Sequence, residues 1–319
     1  MRFRILGGIV AALMLAAMPA SVSAMDQRFT DADGDMVADA PKDPKQWVDP
    51  SVLVFSYTPV EDPAMYAKVW DGFIKHLEKT TGKRVQFFPV QSNAAQLEAM
   101  RAGRLHVAGF NSGAVPLAVN CAGFVPFTLM ASKDGQYGYE MEVITFPGSG
   151  VTKMEDIKGK KMAFTAQTSN SGFRVPSALL KNTYGLEAGK DYEPVFSGKH
   201  DNSVIGVANK DYPAAAVANE VMHRIIDRGV VKKDQIVTIY KSKTYPTTGY
   251  GMAYNLKPEL AAKVKEAFFT YPWEGSELAK EFASTTPPMQ KFLPITYKEH
   301  WLPIRESDEA VGVKYDCKG

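Results

Sequence analysis

The sequence predicts an α/β fold, and three observations carry that expectation. From residue 52 onward, short apolar runs alternate with longer stretches of helical periodicity, the pattern of strands joined by covering helices. Apolar residues make up 45% of the chain and charged residues 23%, which are globular values. The segment 161–180 reads as a buried strand, a polar turn and a helix in immediate succession. Its turn holds three hydroxyls, Thr168, Ser169 and Ser171, followed by Gly172. The first turn of a helix leaves amide N–H groups without partners and carries partial positive charge. Hydroxyls and a glycine there make an anion site without fixed charge. Ordinary N-capping is the competing reading, but a cap needs one hydroxyl rather than three.

The elements follow in order. Residues 1–24 carry Arg2 and Arg4, an apolar run over 5–17, Pro19, and small residues up to Ala24. This is the pattern of a cleaved secretory signal, and no lipobox cysteine is present. An exported, periplasmic protein is expected. Residues 25–47 form a polar arm. Within it Asp31, Asp33, Asp35 and Asp39 resemble a calcium loop, but the glycine stands at position four rather than six. A solvated acidic arm is the expectation.

Strands are expected over 52–56, 85–90, 105–110, 141–146, 161–166, 193–196, 214–217 and 236–240, with a further element over 152–157. Helices are expected over 62–79, 93–102, 201–209, 221–228 and 258–271. In the first helix Met65, Val69, Trp70, Phe73, Ile74 and Leu77 share one face. The chain beyond Pro258 reads as wholly helical, as if returning to pad the first lobe. Two cysteines, Cys121 and Cys317, in an exported chain are most simply one disulfide.

Catalytic signatures are missing. There is no G-x-S-x-G elbow, Walker loop, G-x-G-x-x-G or H-E-x-x-H. The five histidines, at 76, 106, 200, 223 and 300, show no metal-ligand spacing, so no metal or cofactor is expected. Glu140 and Glu142 read as a solvated pair on a strand. A net charge of +2 with scattered basic residues gives no nucleic-acid footprint. An exported α/β chain with an anion cradle and no reactive group reads as a receptor. An exported enzyme acting on a phosphoester and a ligand-sensing module are the other classes.

Between residues 52 and 300 the chain resembles the periplasmic solute-binding proteins of ABC importers for phosphonate, phosphite and phosphate. The resemblance rests on Gly138-Tyr139, on residues 154–164, on Thr168 to Gly172 with Val175-Pro176, and on 98–103, 198–203 and 214–217. It implies a type II binding protein with two lobes, each a mainly parallel sheet flanked by helices, and ligand in the cleft between them. Lobe one would comprise 48–140 and 255–319, and lobe two 141–254. It further implies that Thr168, Ser169 and Ser171 hold a phosphorus oxyanion, that Tyr139 donates its hydroxyl, and that His200 contacts the oxyanion or fixes its protonation.

The chain departs from the family in places. Ser92-Asn93 stands where a tyrosine is usual, which makes Asn93 a candidate donor. The segment 109–113 makes Asn111 and Ser112 candidates. An acid that grips a ligand ammonium would lie near Asn219-Glu220 or near Thr247-Thr248, the second of which has no acid, and Tyr57, Tyr245 and Tyr250 are candidate walls. The implied partners are a small phosphonate, phosphite or phosphate and an inner-membrane ABC permease, with the protein itself a monomer.

Overall fold

The computed structural model describes residues 25–310 and 312–317; the expected signal segment lies outside them. Two sheets form the frame. The first has strand order β11-β4-β10-β3-β1-β2. Its strands are β1 (Val52–Tyr57), β2 (Arg84–Phe87), β3 (Val107–Phe110), β4 (Phe124–Ala131), β10 (Gly249–Ala253) and β11 (Lys291–Pro294). The second has order β7-β6-β8-β5-β9, from β5 (Tyr139–Thr145), β6 (Lys161–Phe164), β7 (Glu193–Phe196), β8 (Ala214–Ala218) and β9 (Val237–Tyr245). In each sheet three strands pair in parallel, as βαβ units require. The strands near the crossings between lobes pair antiparallel, so both sheets are mixed.

The chain passes between the sheets twice, from β4 to β5 and from β9 to β10, which corrects the expected lobe bounds: Tyr139 and Glu140 already belong to the second sheet, and Gly249–Ala253 has returned to the first. The crossings come close at Gly138, whose φ is +115°. A Cβ there would stand 2.3 Å from the Thr244 methyl and 2.9 Å from the Tyr245 carbonyl oxygen, so only glycine fits.

Helix α1 (Pro63–Thr81) starts on Asp62, whose side chain accepts from the Ala64 amide, and stops at Gly82 with φ 69°. Its buried stripe is Tyr66, Trp70, Phe73 and Leu77. That corrects the expected face by one position at its N-terminal end, because Met65 is exposed. The stripe packs into an aromatic cluster with Phe55, Tyr57, Tyr250, Phe268 and Phe292. The other helices needed below are α2 (Asn93–Arg101), α3 (Val115–Ala122), α4 (Val175–Asn182), α5 (His200–Ala208), α6 (Asn219–Asp227), α7 (Pro258–Phe269), α8 (Glu277–Glu281), α9 (Tyr297–His300) and α10 (Leu302–Ala310).

Several expectations are corrected. The chain after Pro258 is not wholly helical, since β11 extends the first sheet antiparallel to β4. Residues Met154–Ile157 form a short 3-10 turn. Glu142 is buried, not solvated, and Lys241 Nζ reaches it at 3.0 Å. Cys121 and Cys317 form a disulfide. In the acidic arm Asp31, Asp33 and Asp35 are exposed with oxygens within 4.8 Å of one another, while Val37 and Ala38 beside them are buried. Among the described residues no helix is long and apolar enough to cross a membrane.

Candidate functional site

A small cavity lies between the two lobes. Val60, Asn111, Ser112 and Thr248 line it from the first lobe; Tyr139, Ser169, Asn170, Ser171, His200, Ala218, Glu220 and Val221 line it from the second. Its volume is about 20 Å3, so the lobes stand close together across it.

The three hydroxyls of the turn divide their work. After β6 the chain makes one wide π-type turn, Asn170–Arg174, that runs directly into α4. Ser169 caps it, its Oγ accepting from the Gly172 amide at 3.0 Å, while the same side chain faces the cavity. Ser171 lines the cavity as well. Thr168 does not; its Oγ1 accepts from Asn93 Nδ2 at 2.8 Å. Thr168 and Asn93 therefore meet across the cleft mouth rather than at its centre.

His200 opens α5. Its Nδ1 lies 3.1 Å from the Ala218 amide, and an amide can only donate. Nδ1 is therefore the bare nitrogen and Nε2 carries the proton. Burial lowers the imidazole pKa to about 4, so the ring is neutral near pH 7 and Nε2–H is a donor beside Ser169 Oγ, 3.4 Å away.

Tyr139 begins β5, and burial pushes its phenol up. Its oxygen accepts from Asn170 Nδ2 at 3.0 Å, leaving its own proton to donate. Asn170 Oδ1 is buried with no partner, a free acceptor in the lining. Asn111 Oδ1 accepts from the Ala114 amide, which leaves its Nδ2 protons available. Ser112 donates to the Pro246 carbonyl at 2.6 Å, tying the cavity floor to the second crossing. Glu220 stands in the first turn of α6, and burial raises its carboxyl, opposed by Arg224. No lysine or arginine lines the cavity.

Other candidates fall elsewhere. Tyr57 is a core residue, with ring centroids 4.5 Å from Tyr66 and 5.2 Å from Trp70. Tyr245 and Tyr250 are buried outside the lining. Asn219 turns its Oδ1 to the Glu140 amide at 3.0 Å and caps strand edges instead. Val60, Asn170, Ala218 and Val221 were not anticipated as lining. Of these only Asn170 carried a local signal, its place inside the hydroxyl cluster. Thr248, considered only as a place where an acid could stand, contributes a hydroxyl.

The family model described as "ABC transporter, phosphonate, periplasmic substrate-binding protein" matches residues 55–300. The chain belongs to that family of periplasmic substrate-binding proteins. It is 29% identical over 229 residues to the phosphate-import protein PhnD of Mycolicibacterium smegmatis, covering 69% of this chain and 71% of the relative. It is 24% identical over 206 residues to the phosphonates-binding periplasmic protein of Escherichia coli, covering 63% of this chain and 61% of that one. Among solved structures it superposes with TM-score 0.73 on a binding-protein component of an ABC phosphonate transporter from Pseudomonas aeruginosa, at 24% identity, covering 82% of this chain and 86% of the other. PhnD1 of Prochlorococcus marinus in complex with methylphosphonate gives TM-score 0.72 at 16% identity, covering 83% and 100%. These structures establish the two-lobed type II architecture. As a family member, the chain is a substrate-binding component of a transport system.

Proposed function

We propose that this protein captures a small phosphonate between its lobes in the periplasm and delivers it, as a monomer, to an inner-membrane ABC permease. The observation that carries the reading is the cavity: neutral donors from both lobes, no cation, and little room. Ser169, Ser171, Tyr139, His200 and Asn111 are the proposed oxyanion contacts, while Ser112, whose hydroxyl proton goes to the Pro246 carbonyl, shapes the lining. Asn93 and Thr168 act across the cleft mouth. Each charge-assisted bond to an oxyanion contributes about 1.5–3 kcal/mol, and exclusion of water strengthens all of them.

Glu220 gives the site its discrimination. A carboxylate there accepts a P–OH proton, which a phosphonate or phosphate monoanion brings and sulfate does not. The same group would hold the ammonium of an aminophosphonate. The confined space favours a compact substituent over an aminoethyl chain. Phosphate is the second reading, and the M. smegmatis relative favours it, being named a phosphate-import protein.

A thermal-shift and calorimetry panel of methylphosphonate, 2-aminoethylphosphonate, phosphite, phosphate and sulfate tests the proposal, because a ligand stabilises the folded state by mass action. Methylphosphonate should give the largest shift and sulfate none. A largest shift with phosphate moves the assignment to the second reading. No shift with any phosphorus acid overturns both.

A further inference from the structure

Three arginines share segments with lining residues but do not line the cavity. Each belongs to the second lobe and reaches across to a carboxylate of the first. Arg224, on α6 one turn beyond Glu220, donates from Nη2 to Glu61 Oε1 at 2.9 Å. Arg228, a further turn on, places Nη2 2.6 Å from Glu61 Oε2 and 3.0 Å from Glu281 Oε1. Tyr66 donates to the same Glu61 Oε1 at 2.9 Å. On the other flank, Arg174 closes the turn that holds Ser169, Asn170 and Ser171. Its Nη1 donates to Asp308 Oδ2 at 2.7 Å and to the Gly113 carbonyl at 3.0 Å. Asp308 also accepts from the Tyr315 hydroxyl at 2.8 Å, two residues from the Cys317 end of the disulfide.

Both groups sit beside the lining. Glu61 follows Val60, Gly113 follows Ser112, and each arginine shares its segment with lining residues of the second lobe. Glu61 and Arg224 are each 1% exposed, as is the Asp308 side chain. Burial pushes the Glu61 carboxyl up, but Arg224 and Arg228 outweigh it and hold it ionised.

We propose that Glu61 and Asp308 are positioning residues for ligand capture: two first-lobe carboxylates that touch no ligand and clasp, through Arg224/Arg228 and Arg174, the two second-lobe segments that line the cavity. Parting the lobes breaks both clasps and returns all these charges to water. Arg224 Nε also lies 3.4 Å from Glu281 Oε1, so loss of Glu61 leaves Arg224 and Arg228 sharing that one carboxylate, and loss of Asp308 leaves Arg174 with only the Gly113 carbonyl, in each case only when the lobes shut. The cost falls on the closed state, and apparent affinity falls with the fraction of molecules able to close. The effect on affinity rests on the ligand reading above; the effect on shape does not.

The test uses Glu61→Gln, Asp308→Asn, their double variant, and Arg228→Gln, which removes one arm from Glu61 at a partly exposed position in case Glu61→Gln folds poorly. Small-angle scattering gives the radius of gyration of the ligand-free proteins. Stopped-flow gives association and dissociation rates with methylphosphonate and with inorganic phosphate. Each single carboxylate variant should dissociate the bound probe at least about tenfold faster, with association within about threefold of wild type. The double variant should be more expanded than wild type. A role confined to fold stability would lower the unfolding temperature and leave dissociation unchanged, which overturns the proposal. If neither probe binds wild-type protein, the ligand reading fails and scattering alone decides; equal radii then overturn the clasps.

Discussion

Gly113→Ala offers a direct test of lobe closure. Gly113 precedes α3 in the first lobe, and its φ lies outside the left-handed region, so alanine meets no backbone strain. The obstacle is across the cleft. A Cβ at residue 113 would stand 2.4 Å from the Thr168 carbonyl oxygen and 2.8 Å from the Asn170 amide nitrogen, both backbone atoms of the second lobe. To reach an ordinary contact of 3.4 Å the turn must retreat by about 1 Å. At that separation the Asn93–Thr168 bond, now 2.8 Å, exceeds the ~3.5 Å beyond which a hydrogen bond is no longer credible. The Arg174 bond to the Gly113 carbonyl, now 3.0 Å, lengthens with it. One neutral bond of about 1 kcal/mol and one charged bond of about 1.5–3 kcal/mol are then lost from the closed state. The expected weakening of the dissociation constant is about 60-fold or more. Calorimetry with the strongest ligand of the panel measures it. The unfolding temperature of the ligand-free protein should fall by less than that of the ligand-saturated protein, because only shut lobes press the methyl against the turn. A dissociation constant within about threefold of wild type would refute the reasoning.

The remaining predictions concern single groups. Ser171→Ala removes a cavity hydroxyl that caps nothing, so affinity should fall about tenfold in calorimetry with little change in unfolding temperature; Ser169→Ala should lower both, since its Oγ also holds the Gly172 amide. His200 is neutral in the native state, with its pKa lowered to about 4, against about 6.5 when unfolded. Its effect is therefore absent above pH 6.5, and stability falls by up to about 3 kcal/mol as pH drops from 6.5 to 4, because only the unfolded state takes the proton there. Denaturant titrations across that range should show His200→Asn flattening this part of the acid limb. Native protein should show no free thiol in a thiol assay, and Cys317→Ser should lower the denaturation midpoint, by chain entropy alone at most about 5 kcal/mol for a loop of 196 residues.

The elements legible in the sequence were those with strong local patterning, and the ones missed have local reasons. Helix α1 announces itself through Asp62, Pro63, a buried stripe and Gly82. Strand β10 reads as a loop because it holds Gly249 and Gly251. In the structure those glycines admit neighbours: a Cβ at 249 would lie 2.8 Å from the Trp301 ring, and one at 251 would lie 2.3 Å from the Val125 carbonyl oxygen. Strand β4 carries Pro126, a residue that argues against a central strand. It is tolerated because Pro126 faces Gly251, where the register with β10 shifts. The site divides in the same way. Ser169, Ser171, Tyr139 and His200 sit in short distinctive segments. Val60, Ala218 and Thr248 reach the cavity only because the lobes close, which no local pattern encodes. Glu142 misled because alternation marks a face as solvent only when nothing covers it, and here Thr238 and Lys241 cover it.

The placement of charge is the feature that joins affinity to selectivity. A lysine or arginine inside the cavity would attract sulfate and chloride as readily as a phosphorus acid, since a fixed cation reads charge before shape. The lining instead offers oriented neutral donors, whose worth depends on where each oxygen lies, and Asn170 Oδ1 and Glu220, which favour a ligand that carries a proton. Arg174 is paired with Asp308, and Arg224 with Glu61 and Glu281; in the proposed scheme closure therefore draws on ion pairing while recognition draws on geometry. An anion of the wrong protonation state then meets a cavity able to shut but unable to satisfy its own acceptors, and unpaired buried acceptors cost about 1–3 kcal/mol each.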